Sequence, residues 1–199
     1  MIFSFAILAV VLAYTWVIDP IAPGWVTPIP VALVLGLAIW HAARRGDWGV
    51  KPAAFLPALW KSAAFSAAAA LGIYLAGSRL GTWRDRGDAW TRLLLLIPWG
   101  LGQQFALHTV FLREAQETFR RSAGIVLAAA LFAALHLPNP LLTAMTFAGA
   151  LAWCWIYDRH PNLLPLALSH ALLTLAILYA FDESMTGHLR VGAAYLSLR

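Results

Sequence analysis

The sequence predicts an all-α, polytopic integral membrane protein, a helical bundle of about seven transmembrane helices. Three observations predict it. Of the 199 residues, 61% are hydrophobic and only 12% charged, about half the charged share of a soluble domain. The apolar residues gather into runs close to the roughly 20 residues that cross a bilayer as a helix. The breaks between runs carry Pro, Gly, Asn and Arg, residues that punctuate helices.

The first run, 2–18, has no basic leader and no small-residue cleavage site, so it reads as a retained helix. Asp19-Pro20 and Pro23-Gly24 part it from 24–43, which Arg44-Arg45-Gly46-Asp47 closes. An alanine-rich run, 52–77, comes next, followed by 89–112. The fifth run, 122–137, is short and leads into the turn Leu137-Pro138-Asn139-Pro140. Run 140–157 ends at Arg159-His160-Pro161-Asn162, and 163–181 is the last. No internal repeat interrupts the pattern, so 1–199 is read as a single membrane domain.

A single cysteine, Cys154, excludes a disulfide framework and a cysteine-rich metal site. The net charge of +5 is spread through short connectors, which suits contact with membrane lipids and excludes a nucleic-acid-binding stripe. With the first terminus inside, Arg44, Arg45, Lys51, Arg113, Arg120, Arg121 and Arg159 share one side, and Arg79, Arg84, Arg86, Arg92, Arg190 and Arg199 the other. That near balance assigns no orientation. Arg113, Glu114, Glu117, Arg120 and Arg121 read as an ordinary charged helix end, with Glu117 and Arg121 four residues apart.

The informative residues are polar ones in apolar runs. Ionisable side chains are expensive in hydrocarbon and turn inward toward partners, cavities or substrate paths. The fourth run holds Gln103, Gln104 and His108, with Gln104 and His108 on one face. The fifth ends Phe132-x-x-x-His136, and the seventh holds His170-x-x-x-Thr174. At about 1.5 Å per residue, Gln103 lies roughly 15 Å and His108 roughly 8 Å from the Arg113 end, and His170 about 10 Å from Leu163. Those depths permit one shared cavity, with His136 on its far wall.

This pattern resembles the CPBP intramembrane proteases, the type II CAAX prenyl endopeptidases and their bacteriocin-processing relatives. That family reads Glu-Glu-x-x-x-Arg, then Phe-x-x-x-His, then His-x-x-x-Asn. Here the second motif is intact at Phe132 and His136, the third has Thr174 for Asn, and the first is Gln103-Gln104-x-x-x-His108. The resemblance covers roughly 90–180, a CAAX-protease-like core. It implies a membrane peptidase, hydrolysing a peptide bond of a hydrophobic or lipidated substrate near the membrane surface by activated water. It also implies a multi-pass location, expected to be a bacterial inner membrane.

The departures alter the chemistry. A glutamine amide has no basic site in the useful range, so Gln103 can orient water but cannot take its proton. A histidine must then be the base. His136 is the first choice, with His170, Thr174 or Gln103 as oxyanion donors. No cofactor is expected. An alternative is zinc on His108, His136 and His170, although no His-Glu-x-x-His is present. A further alternative, supported by the missing glutamates, is a catalytically inactive member acting as a membrane binding or chaperone module. Ser169 is unsuited as a nucleophile for His170, because chain neighbours on a helix do not face each other. Trp153 and Trp155 read as markers of helix faces or of the membrane interface.

Overall fold

In the computed structural model, which describes residues 1–84 and 87–197, the chain is a bundle of helices with no strand among the described residues. Arg86 and Arg199, counted above, lie outside them. The helices are α1 (Ile2–Ala13), α2 (Pro28–Arg45), α3 (Phe55–Leu80), α4 (Ala89–Ala106), α5 (Arg113–Thr118), α6 (Arg121–Ala134), α7 (Pro140–Arg159), α8 (Leu163–Ala180), α9 (Glu183–Thr186) and α10 (Gly192–Leu196). A π-helical segment, Leu107–Leu112, joins α4 to α5 without a break.

Among the described residues, five stretches are long and apolar enough to span: Gly24–Arg45, Pro52–Leu80, Ala89–Thr118, Pro140–Arg159 and Leu163–Ala180. They account for five of the about seven expected spans. Ile2–Ile18 and Arg121–Ala134 are apolar but short, and the 14 residues of α6 rise only about 21 Å. The expected run to residue 137 stops early for a local reason. Leu135 and His136 make tight three-residue hydrogen bonds to Phe132 and Ala133, and a residue before proline, here Leu137, is pushed out of helical geometry. The fourth span is longer than expected, because the π segment carries it on to Thr118.

Side chains set the helix starts after that turn and after Pro161. Asn139 accepts from the Leu142 N–H at 3.1 Å and Asn162 from the Leu164 N–H at 3.2 Å, satisfying amides that a helix start leaves without carbonyl partners. At one end of the bundle the 47–51 and 160–162 connectors meet, with Leu163 N donating to Gly49 O. At the other end, Thr82 Oγ1 donates to Ala180 O at 2.6 Å. There Asp182 caps α9, and donation from the Ser184 hydroxyl and the Met185 N–H holds its carboxyl below the usual range.

Helix α8 is the most enclosed of the spans, packed between α3 and α4. Its contact with α3 depends on Gly77, where a Cβ would stand 2.4 Å from Ala180 O. Backbone cannot yield as a flexible side chain can. We expect Gly77→Val to destabilise the bundle by about 1–3 kcal/mol through overpacking, read as a lowered Tm in detergent. An unchanged Tm would show that the two helices are free to separate there.

The charged stretch after the π segment is not an ordinary helix end. Glu117 pairs with Arg45 and Arg121 with Asp158, while Arg113 reaches Asp47 at 2.7 Å. Glu114 is buried, and its carboxylate accepts from Phe3 N at 3.2 Å, Ser4 N at 2.8 Å and Ser4 Oγ at 2.7 Å. The α1 helix is thereby docked by its first turn onto the same continuous helix that carries Gln103 and Gln104.

Candidate active site

A cavity of about 940 Å³ lies within the bundle, at the upper end of the size range of small-molecule sites. Its walls are mostly apolar, including Ile7 and Val11 of α1, Leu35 of α2, Phe65 and Ile73 of α3, and Leu173 of α8. Gln103, His136, His170 and Thr174 supply polar groups to that wall. Toward the far end of the bundle the lining takes in Asp19, Thr27 and Arg190. Four of the six sequence-predicted residues thus line one space. Gln104 and His108 do not line it; they are fully buried behind it.

The buried pair is nonetheless wired to the wall. Gln104 Nε2 lies 3.0 Å from His170 Nδ1. An amide nitrogen only donates, so His170 Nδ1 holds a lone pair and the neutral ring carries its proton on Nε2. The opposite holds at His136, whose Nδ1 lies 3.1 Å from Phe132 O. A carbonyl only accepts, so His136 Nδ1 is protonated and Nε2 keeps the lone pair. His108 repeats the second pattern, its Nδ1 donating to Gln104 O at 2.8 Å. The two cavity imidazoles therefore have opposed polarity: one acceptor and one donor.

Three buried polar atoms around this site have no hydrogen-bond partner among the described residues: Gln103 Oε1, Gln104 Oε1 and His108 Nε2. Buried acceptors are rarely left empty. Of the three, only Gln103 belongs to a residue that lines the cavity.

Aromatic residues hold the imidazoles in place. Trp153 stacks on His170 with ring centroids 4.8 Å apart and planes 5° from parallel. Its indole N–H donates to Ser169 Oγ at 2.9 Å, and Ser66 Oγ donates to the same oxygen at 2.7 Å. Phe132 presents edges to both His136 and His170, at 5.6 and 6.3 Å, while His108 stacks on Tyr157 at 4.4 Å. The sequence reads Trp153 as a marker of a helix face or of the membrane interface, whereas the fold lays its ring on His170. Trp155 is different: half-exposed, it is covered by Arg159 at 4.1 Å and Lys61 at 5.6 Å. No one-dimensional signal separates these two tryptophans, since only the crossing of α7 with α8 brings Trp153 over His170.

Among the described residues, no three His, Cys, Asp or Glu side chains gather closely enough to hold a metal ion.

Compared with known proteins, residues 85–176 match the family described as type II CAAX prenyl endopeptidase Rce1-like. No curated protein and no solved structure matches the chain. The matched stretch contains Gln103, Gln104, His108, His136, His170 and Thr174, and it lies in a bundle with five helices of spanning length. Over that stretch this multi-pass integral membrane protein is similar to the family described as type II CAAX prenyl endopeptidase Rce1-like.

Proposed function

We propose that the protein is an intramembrane endopeptidase that hydrolyses a peptide bond of a hydrophobic or lipidated substrate, using water activated by His136. The observation that carries this reading is the opposed polarity of the two cavity imidazoles. His136 Nε2 accepts the proton of a water held in the cavity beside Gln103. The resulting hydroxide attacks the scissile carbonyl carbon, and its oxygen becomes an oxyanion. His170 Nε2–H, assisted by the Thr174 hydroxyl, donates to that oxyanion. Collapse breaks the C–N bond, and the proton on His136 passes to the leaving amine. The mostly apolar cavity takes the greasy part of the substrate, and a bacterial inner membrane is the proposed location.

A second reading has its own observation: neither Gln103 nor Gln104 is a carboxylate, so a family member lacking its acids could serve as a binding or chaperone module. One experiment separates the two. Purified protein is offered a lipidated, membrane-anchored peptide, and cleavage is compared between wild type and Gln103→Glu. The hydrolytic reading expects measurable wild-type cleavage, raised about tenfold or more by a carboxylate base in the Gln103 position. Binding without cleavage in both proteins would support the module instead.

A further inference from the structure

Among the described residues that line the cavity, Asp19 and Arg190 are the two that carry formal charge. Asp19 accepts a hydrogen bond from Tyr14 Oη at 3.0 Å. The exposed Arg190 side chain has no ion pair or hydrogen bond among the described residues. Its backbone, in contrast, is tightly held. Asn139, fully buried, donates from Nδ2 to Arg190 O at 3.2 Å and to Thr186 O at 2.8 Å. Gly192 N donates to Leu137 O at 2.8 Å, and a Cβ on Gly192 would meet Thr15 O at 2.3 Å.

The segment is also strained. His188 and Leu189 have φ of 54° and 57°, the left-handed region that side chains adopt rarely and that is retained where surrounding structure forces it. Two successive residues of this kind, followed by an anchored peptide, fix residues 189–191 on the cavity wall. The result is a large, mostly apolar chamber whose rim carries, among the described residues, the guanidinium of Arg190.

We propose that Arg190 is an anion-binding residue at the mouth of the cavity. It pairs with the carboxylate or phosphate of an amphiphile whose hydrocarbon portion lies in the cavity. A guanidinium suits both head groups, because its paired N–H donors match two oxygens at once. The proposal concerns binding, so its outcome does not depend on whether the protein hydrolyses peptides.

The test is equilibrium binding of palmitate, hexadecyl phosphate and hexadecanol to the full chain in an uncharged detergent. Wild type should bind at least one of the two anions about tenfold more tightly than the neutral alcohol, as expected for one charge-assisted contact. Whichever anion is preferred identifies the head group. Arg190→Gln should erase the preference, Arg190→Lys should keep part of it, and Arg79→Gln, on the same end of the bundle but outside the cavity lining, should leave it intact. Equal binding of acid and alcohol by the wild type would overturn the proposal. So would a preference that survives Arg190→Gln, or one lost equally in Arg79→Gln.

Discussion

His136→Ala is expected to lower the rate of peptide cleavage by about 10²- to 10⁴-fold, the usual contribution of a positioned general base. The expectation rests on hydrogen-bond polarity. His136 donates from Nδ1 to Phe132 O, leaving Nε2 as a proton acceptor, whereas His170 receives the Gln104 amide on Nδ1 and presents an N–H. His170→Ala should cost about 10²- to 10³-fold, in line with loss of one oxyanion donor. Gln104→Glu probes the same logic from behind. A carboxylate accepts, so His170 would protonate Nδ1 and free Nε2 as a second acceptor. The double variant Gln104→Glu/His136→Ala should then recover part of the activity that His136→Ala loses. Wild-type rates in His136→Ala would remove His136 from the role of base. A double variant no better than the single would count against the polarity assignment at His170.

The parts of this design that could be read in one dimension are those set by local pattern. Apolar runs and proline-asparagine turns located the spans, and Phe132-x-x-x-His136 and His170-x-x-x-Thr174 located the cavity imidazoles. What escaped was set by crossing geometry. Glu114 follows Arg113 by one residue, a rotation of about 100° on a helix. That step turns one side chain toward Asp47 and the other inward onto Ser4. Nothing in composition says which of two adjacent charges is buried. Arg190 could be read only as a connector charge, because its place at the cavity depends on Asn139 and Gly192 reaching across the bundle. The shortness of two of the apolar runs has a simpler origin. A run of apolar residues says how greasy a segment is, and its helical length is decided by where Leu137-Pro138 and Asp19-Pro20 stop it.

Glu114→Ala should have the largest effect on stability of any single change in the bundle, about 3–5 kcal/mol, because it strips partners from groups that stay buried. The carboxylate receives two backbone N–H groups and one hydroxyl from the first turn of α1, and His41 Nε2 stands 4.0 Å away. Without it, Phe3 and Ser4 amides must find water, so the cheaper outcome is for α1 to leave its seat. That matters for the site, since Ile7 and Val11 of α1 form part of the cavity wall. Glu114→Gln keeps one acceptor oxygen and should fall between wild type and alanine. The readout is twofold: a lowered Tm in detergent, and thiol labelling of Ile7→Cys, a position 1% exposed in the docked helix. Labelling should be slow on the wild-type background and fast beside Glu114→Ala, with the buried Cys154 as the protected reference. Fast labelling of Ile7→Cys with Glu114 in place would mean that α1 is held by nothing in this contact. Slow labelling without Glu114 would mean that apolar packing alone keeps the wall closed.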